Sequence, residues 1–457
     1  MKKYDKFPAK VYVDTFLKPD FYIYKTIFKD ALSQINYAQC IMLKEQKIIS
    51  NEEAKIIFKN LNEIENELDF ENLEYDEKFE DLFFLIEKTL IDRIGVDIAG
   101  KLHTGRSRND MEHTMFRMEL RKRIILIIKD LFSLSEHLIK RSEKGTSEVI
   151  LLYTHGQPAQ ASTLAHFLSA VIEFCLRDID RLSKALDLVN MCPMGAAAIT
   201  TSGFPLSRER MAELLGFEKI VNNSYGAIAS CDYITTTYSA LKIASINLGR
   251  FVQELVTWTG FEVSQIYVPD GFVQISSIMP QKRNPDSIEL VRSKSNIIRS
   301  KAMEFSNVIS GIPLTYFKDF QEDKKIIFEC FDELSVCLDV MNDVIKKSQF
   351  NKDKGMHLCN QYFATSTDLA DYLVIEKKIP FRKSYKIIAE IVQYAQKNNK
   401  NLSQLDIVEF QLFEKLIDKK IYQYVDVKKS LGRKKTPMST NPKNVTKNIK
   451  KYESFLK

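Results

Sequence analysis

Five long stretches constrain the fold more than any other feature of the chain, because they carry apolar residues at helical spacing with few interruptions. They span roughly residues 109–142, 159–190, 226–260, 285–310 and 321–348. The chain has only 15 glycines and 12 prolines in 457 residues, about half their usual share, so little in it breaks a helix. Since globular helices average about 11 residues, these lengths predict an all-α fold, a three-part elongated subunit with a central bundle of long helices.

The length of the predicted helical segments changes twice along the chain, which predicts three domains. Residues 1–103 alternate helical segments with polar loops and form a predicted N-terminal helical domain. Residues 104–354 hold the five long stretches and form the predicted central bundle, whereas residues 355–457 have shorter segments and form a C-terminal helical domain with a basic tail. A bundle this long leaves apolar stripes for partner subunits, so we expect the chain to form oligomers.

The basic tail has two interpretations. From Val427 to Lys457 the chain carries ten lysines and arginines against one acid, Glu453. Such a run could contact RNA or another acidic surface, but it lacks the interleaved aromatic residues of a nucleic-acid platform. We therefore favour a solvated C-terminal helix and do not expect nucleic acid as a partner.

Composition also limits the compartment and the chemistry. No apolar run approaches the ~18 residues of a membrane span, and the lysine-rich N-terminus lacks the apolar core of a signal peptide. The seven cysteines are an odd number without a C-x-x-C pair, which predicts reduced thiols in a cytoplasmic protein. The six histidines have no zinc-binding spacing, so we predict no metal site.

The densest group of chemically useful side chains is the string SSIMPQKRNPD at residues 276–286. Asn284 suits a helix N-cap and Pro285 suits the first helical turn, so the string is predicted to lead into a helix N-terminus. The positive end of that helix, reinforced by Lys282, would attract carboxylates and stabilise a deprotonated oxygen. The pattern fits a site that binds a dicarboxylate or removes a proton beside one. The alternative is a polar loop that only caps a helix.

A second polar string, AGKLHTGRSRND, covers residues 99–110. Arg106 and Arg108 could each hold a carboxylate with two parallel hydrogen bonds, and Asn109 would add amide donors. A capped helix start with solvated arginines accounts for RSRND equally well when that string is taken alone.

Two further strings place polar groups beside predicted helices. YTHGQPAQ at residues 153–160 sets His155, whose imidazole can orient or relay protons, between hydroxyl and amide neighbours just ahead of a predicted helix. A lone histidine in such a place is more often structural. TYFKDFQEDK at residues 315–324 is, by itself, an acidic helix start with an exposed lysine.

Together these strings resemble the fumarase/aspartase superfamily. SSIMPQKRNP is similar to that superfamily's signature loop, G-S-S-x-M-P-x-K-x-N-P, with Ile275 in place of the glycine. The Thr-His pair resembles its second signature region. The strings at residues 99–110 and 315–324 resemble the argininosuccinate lyase branch, and the resemblance covers about residues 78 to 385.

The resemblance implies a mostly helical homotetramer whose active sites combine segments of different subunits. It also implies a β-elimination that uses no cofactor. A base removes the Cβ proton of an N-substituted aspartate, the neighbouring carboxylate stores the charge, and the C–N bond breaks to give fumarate and an amine. Within the branch, argininosuccinate is the expected substrate and arginine the expected amine.

The same resemblance implies a role for each candidate residue. Ser276 would be the base, its alkoxide stabilised by Lys282, Asn284 and the helix N-terminus. Thr154 and His155 would bind the reacting carboxylate and assist proton movement. The implied substrate-binding residues are Ser107, Arg108 and Asn109 for the succinyl part, and Tyr316, Gln321 and Lys324 for the amino-acid part of the leaving group.

Departures from the branch pattern leave the leaving amine open. They are Phe83 for a histidine, Gly156 and Pro158 for a leucine and a basic residue, Gly226 for an acid, Cys231 for an arginine, and Ile275. One alternative is a related C–N lyase for another N-succinyl amine, similar to ethylenediamine-disuccinate lyase. Another is a catalytically silent structural relative, similar to the delta-crystallins.

Overall fold

A computed structural model of the protein describes residues 7–456. The first six residues of the predicted N-terminal domain and Lys457 of the basic tail lie outside the described residues. The protein is 69% helical, and its strands within the described part form four separate two-stranded pairs. The predicted all-α fold is therefore confirmed.

All five long stretches form helices. Their bounds are Arg108–Lys144, Leu164–Val189, Asp232–Thr259, Asp286–Ile309 and Glu322–Lys347. Two starts differ from the prediction. The second helix begins at Leu164 rather than near residue 159, because Gln157–Thr163 forms a strand. The third begins at Asp232, after a separate short helix, Ser224–Ala229.

The N-terminal region contains a continuous helical stretch followed by shorter helices. The stretch comprises α-helices Lys10–Tyr12, Lys18–Ile23 and Lys29–Glu45, joined by π-helical turns Val13–Leu17 and Tyr24–Phe28. The helices that follow are Asn51–Glu67, Leu82–Ile94 and Val96–Ala99, with a 3-10 turn at Gly100–His103. Ser50 and Glu53 start the first of these, since each side chain accepts the other residue's backbone N–H.

A further short helix, Arg208–Leu214, lies between the second and third long helices. From residue 352 to 456 the chain forms seven α-helices and a 3-10 turn at Leu402–Gln404. The α-helices are Lys352–Gln361, Ser366–Lys377, Phe381–Lys397, Ile407–Gln411, Ile421–Val425, Val427–Arg433 and Pro442–Leu456. The last helix buries Val445, Ile449 and Tyr452 along one face and exposes its lysines. The predicted solvated helix at the tail is confirmed for this segment.

An antiparallel β-hairpin, which the sequence did not predict, pairs Val149–Thr154 with Gln157–Thr163. Its two-residue turn is formed by His155 and Gly156, with φ of 55° and 70°, as a type I′ turn requires. The other pairs have two residues in each strand. They are Met191–Cys192 with Lys219–Ile220, Ile266–Tyr267 with Gln349–Phe350, and Gln274–Ile275 with Arg283–Asn284.

The chain folds as two compact units, each assembled from three segments. The first unit comprises Met1–Ile128, Asp180–Lys242 and Ile298–Glu333, and the second comprises Lys129–Ile179, Ile243–Ile297 and Leu334–Lys457. The predicted domain limits at residues 103 and 354 stay a prediction. Among residues 7–456, no helix is both long enough and apolar enough to cross a membrane.

Candidate active site

The candidate residues fall into two sets, one in each compact unit. The first unit holds Ser107, Arg108, Asn109, Tyr316, Gln321 and Lys324. The second unit holds Thr154, His155, Ser276, Lys282 and Asn284. The residues predicted to bind the substrate therefore share one unit, and those predicted to carry out the chemistry share the other.

The signature loop, residues 276–285, is closed at its base by a short strand pair. Gln274 pairs with Asn284 and Ile275 with Arg283. Within the loop, the Ser276 N–H donates to the Lys282 carbonyl at 3.2 Å, and the Lys282 N–H donates to the Met279 carbonyl at 3.0 Å. Ile275 is 67% exposed in an extended strand. The structure therefore accepts isoleucine where the superfamily pattern has glycine.

The hydroxyl of Ser276 accepts two backbone hydrogen bonds from its own loop. The N–H of Met279 lies 3.1 Å from the Ser276 Oγ, and that of Ile278 lies 3.4 Å away. Ser276 is half-buried, whereas Ser277 is exposed. Backbone donors aimed at an oxygen favour its anionic form, so this geometry supports Ser276 rather than Ser277 as the oxygen that loses a proton.

The helix after the loop begins two residues later than Asn284, and the predicted N-cap is wrong. Asn284 is held in the strand pair, and the helix starts at Asp286. The Pro285 carbonyl accepts the N–H of Glu289 at 3.1 Å and so takes the capping position. The loop still leads into a helix N-terminus. Asp286 and Glu289 in the first turn offset part of the positive potential of that helix end.

An open cavity of about 570 Å³ lies against the end of the signature loop. Lys282 and Asn284 line it, together with Gln281 and Arg283. The Arg283 guanidinium lies 4.1 Å from the centre of the Tyr267 ring and donates to the Val268 carbonyl at 2.9 Å. Because these contacts occupy it, Arg283 forms part of the cavity wall. The exposed Lys282 ammonium is the loop cation that remains accessible to a ligand.

Thr154 and His155 lie exposed at the tip of the β-hairpin, not at a loop-helix junction as predicted. Two contacts fix the hairpin within its unit. The Gln265 amide bonds to both backbone groups of Leu151, at 2.8 and 3.1 Å. A helix also packs against Val149 through Gly355, where an added Cβ would lie 2.1 Å from the Val149 carbonyl oxygen. These contacts tie the first strand of the hairpin, and with it the tip, to the rest of the second unit.

Ser107, Arg108 and Asn109 lie at the start of the longest helix, in the first unit. Arg108 already has protein partners, since its Nη1 lies 2.9 Å from carboxylate oxygens of both Glu80 and Asp81. Arg106 is buried and donates to the Asn36 Oδ1 at 2.8 Å, so it cannot serve as the second clamp that the sequence suggested. Only Arg108 of the two arginines remains a candidate for binding a substrate carboxylate.

The Asp110 carboxylate orders the start of this helix. It accepts the Ser107 N–H at 2.8 Å and the N–H groups of Gly195 and Ala197 at 3.0 and 2.9 Å. Both Gly195 and Ala197 have positive φ, 83° and 53°, so the loop they form needs such an anchor. Asp110 thereby fixes the backbone from which Ser107 to Asn109 project.

Tyr316, Gln321 and Lys324 converge on Glu112, which was not among the predicted site residues. The Tyr316 hydroxyl donates to the Glu112 Oε2, the Gln321 Nε2 does so at 2.9 Å, and the Lys324 Nζ lies 3.6 Å from the same oxygen. Burial alone would favour the neutral acid, but the Lys324 and Lys318 charges and the Tyr316 hydroxyl outweigh it and lower the Glu112 pKa to about 2. The carboxylate is therefore charged.

His113 and Asp323 are two more titratable side chains beside this cluster, and neither was among the predicted site residues. The His113 Nδ1 lies 3.1 Å from the Tyr233 hydroxyl, and burial lowers the His113 pKa to about 3. Neither oxygen of the Asp323 side chain has a hydrogen-bond partner within the described chain, and burial raises the Asp323 pKa to about 8. Asp323 is thus a neutral acid near pH 7.

The sequence contained a local signal for Glu112, which follows Arg108 by four positions and so lies on the same helical face as Arg108. The described residues contain no group of three or more His, Cys, Asp and Glu side chains placed to hold a metal ion.

Two families match the chain. A family described as "Lyase" matches residues 14–299, and one described as "Argininosuccinate lyase C-terminal" matches residues 363–432. Argininosuccinate lyase 2 of Agrobacterium fabrum is 42% identical over 85% of this chain and 77% of its own length. Argininosuccinate lyase of Acetivibrio thermocellus is 36% identical over 94% and 93%. The crystal structure of EDDS lyase in complex with formate superposes with a TM-score of 0.86 at 26% identity, over 96% of this chain and 87% of that one.

Proposed function

Because this chain belongs to the argininosuccinate lyase family of the fumarase/aspartase superfamily, and is a carbon–nitrogen lyase, we propose that it cleaves argininosuccinate into arginine and fumarate. The observation that carries the chemistry is the Ser276 hydroxyl, which accepts two backbone N–H groups in a loop that leads into a helix N-terminus. The observation that favours arginine as the leaving group is the name shared by relatives at 36–42% identity.

The mechanism begins at the Cβ proton of the succinyl part. The Ser276 alkoxide takes that proton, and the electron pair moves into the adjacent carboxylate as an aci-carboxylate. Lys282, Asn284 and the helix N-terminus stabilise the added negative charge. The pair then returns to form the double bond of fumarate, the C–N bond breaks, and the leaving guanidino nitrogen keeps its electrons and takes up a proton.

Each remaining candidate residue has a role in this scheme. Thr154 and His155 bind the reacting carboxylate and assist proton movement at the leaving nitrogen. Ser107, Arg108 and Asn109 bind the succinyl carboxylates. Tyr316, Gln321 and Lys324 hold the amino-acid end of the leaving group, and the scheme uses no cofactor.

The working form in this proposal is a cytoplasmic homotetramer whose sites combine residues of different subunits. Support comes from large apolar side chains that the long helices leave exposed. These include Ile125, Leu126, Leu290, Ile297 and Met303. Exposed apolar groups on long helices are the surfaces that helical oligomers bury.

A second candidate is a lyase for another N-succinyl amine. The TM-score of 0.86 to EDDS lyase favours it, and so do the six departures from the branch pattern given above. Ultraviolet absorbance of fumarate, followed with argininosuccinate and with ethylenediamine disuccinate, separates the candidates. We expect fumarate and an equal amount of arginine from argininosuccinate. Fumarate from the second compound alone would replace the proposal, and none from either would indicate a silent relative.

A further inference from the structure

We propose that Glu112 determines which leaving amine the enzyme accepts, because its buried carboxylate selects amines with an ammonium group at the end far from the bond that breaks. The inference rests on the proposed function, in which Tyr316, Gln321 and Lys324 hold that end. It adds a residue outside those strings and a definite charge requirement.

The contacts of Lys324 carry the first step. Its Nζ lies 2.7 Å from the Gln321 Oε1, 3.2 Å from the Tyr24 hydroxyl and 3.6 Å from the Glu112 Oε2. Side-chain exposure is 5% for Lys324 and 9% for Glu112. The ammonium is therefore enclosed and already has a carboxylate as its counter-charge.

Charge balance carries the second step. A buried lysine without a counter-ion would bind any carboxylate that reached it, whereas a buried lysine–glutamate pair is neutral as a unit. A ligand end with only a carboxylate would bring a second anion towards Glu112. A ligand end with an ammonium, alone or with a carboxylate as in an α-amino acid, would avoid that repulsion and add a second cation beside the Glu112 carboxylate.

The surroundings of the pair strengthen this requirement. Asp20 lies within electrostatic reach of both Lys324 and Lys318, although burial is the main influence on its pKa and raises it. With Asp20 itself, Glu112 and Glu322, three acids surround the two bases Lys318 and Lys324. This excess of acids favours a ligand end that carries an ammonium over one that carries only a carboxylate.

The reverse reaction provides the test, because simple guanidines can be offered together with fumarate. The guanidino nitrogen bonds to one vinyl carbon and loses a proton, and the other vinyl carbon gains one. The probes are L-arginine, agmatine, which keeps the distal ammonium but lacks the carboxylate, and 5-guanidinopentanoate, which keeps the carboxylate but lacks the ammonium. Loss of fumarate absorbance gives kcat/KM for each.

In the wild-type enzyme we expect agmatine to exceed 5-guanidinopentanoate in kcat/KM by at least about tenfold, since a hydrogen bond to a charged group is at stake. In Glu112→Gln we expect that ratio to fall to about threefold or less, because the amide keeps the shape and loses the charge. Glu119→Gln is the matched control. Glu119 is a buried acid on the same helix whose partner is Lys122 at 3.7 Å, so its loss should leave the ratio unchanged.

The possible outcomes separate the role of Glu112 from the proposed function. A wild-type enzyme that uses arginine but prefers 5-guanidinopentanoate, or treats the two probes alike, overturns the role of Glu112 and leaves the proposed function intact. A preference that survives in Glu112→Gln also overturns it. If Glu112→Gln does not fold, the wild-type ratio alone decides. If no guanidine, arginine included, reacts with fumarate, the proposed function fails and the inference fails with it.

Discussion

The two sets of candidate residues differ in how much of their charge is enclosed. In the first unit, Lys324 and Glu112 are 5% and 9% exposed and contact each other, and Arg108 is tied to Glu80 and Asp81. In the second unit, Lys282, His155 and Thr154 are exposed on a loop and a hairpin tip. Lys324, which is predicted to bind the substrate, is therefore enclosed together with Glu112, whereas Thr154 and His155, which are predicted to assist proton movement, are not.

This difference has an energetic consequence. Removing one partner of a buried ion pair leaves an uncompensated charge, which destabilises a fold strongly. Changing an exposed polar side chain usually alters stability by about 0.5 kcal/mol or less. Substitutions that break the Glu112–Lys324 pair should therefore reduce stability, whereas substitutions of the exposed side chains in the second unit should reduce turnover alone.

The largest expected effect is on turnover at the exposed loop. Ser276→Ala should lower kcat by about 10²–10⁴-fold, the range for a positioned proton-transfer group, while the Kd for product changes far less. Ser277→Ala is the control, because that neighbour is exposed and its hydroxyl is not the one held by Ile278 and Met279. An active Ser276→Ala beside an inactive Ser277→Ala would reassign the base.

The next effect is on stability in the buried cluster. Lys324→Met removes the cation beside Glu112 and should lower the free energy of unfolding by about 3–5 kcal/mol, measured by urea denaturation. Lys325→Met is the matched control, because Lys325 is 73% exposed with a partner at 4.0 Å. If the two variants unfold alike, the Glu112–Lys324 pair does not hold the fold.

A smaller effect is expected at the hairpin tip. His155 has φ of 55°, which asparagine tolerates better than most residues, so His155→Asn should fold normally. Its kcat should fall by about 10²-fold if the imidazole moves a proton. Loss of thermal stability together with turnover would point to a structural histidine instead.

The same variant addresses the proposed composite sites. Mixing inactive His155→Asn and Ser276→Ala proteins and allowing subunits to exchange should restore part of the activity. Exchange is verified by native mass spectrometry. Complete inactivity after verified exchange would mean that one subunit supplies both residues to each site.

The smallest effect concerns pH and Asp323. Burial raises its pKa from 3.8 to about 8, so the folded state binds this proton more tightly than the unfolded state, and stability falls as pH rises between those values. Asp323→Asn removes that dependence and should stabilise the protein at the upper end of the window by at least about 1 kcal/mol. Asp319→Asn, on the exposed part of the same segment, should not. Equal pH profiles for Asp323→Asn and the wild type would show that Asp323 ionises normally.

The fold was predictable where local pattern and tertiary structure agree. Scarce glycine and proline with helical periodicity identified all five long helices. The hairpin was missed because its turn uses His155 rather than asparagine at the first positive φ, and because its second strand contains Pro158. The strand pair that displaces Asn284 from the N-cap depends on residues ten positions apart, which a capping rule does not consider.

The site was predictable where a motif is contiguous. Strings at residues 99–110 and 276–286 contain their chemistry in one short run. Glu112 was not predictable in this way, since its partners Tyr316 and Gln321 lie 204 and 209 residues further along the chain. Only the folded chain brings them together, and only burial gives Asp323 its raised pKa.

The most direct test makes the same lysine-to-methionine change once in the exposed loop and once in the buried cluster. Lys282→Met and Lys324→Met remove the same ammonium group, one exposed and one buried. Lys282→Met should keep its unfolding free energy within about 0.5 kcal/mol of the wild type while kcat falls by about 10²-fold or more. Lys324→Met should lose about 3–5 kcal/mol of stability. A Lys282→Met variant that unfolds as readily as Lys324→Met, or a Lys324→Met variant as stable as the wild type, would contradict the division between a buried binding cluster and an exposed catalytic loop.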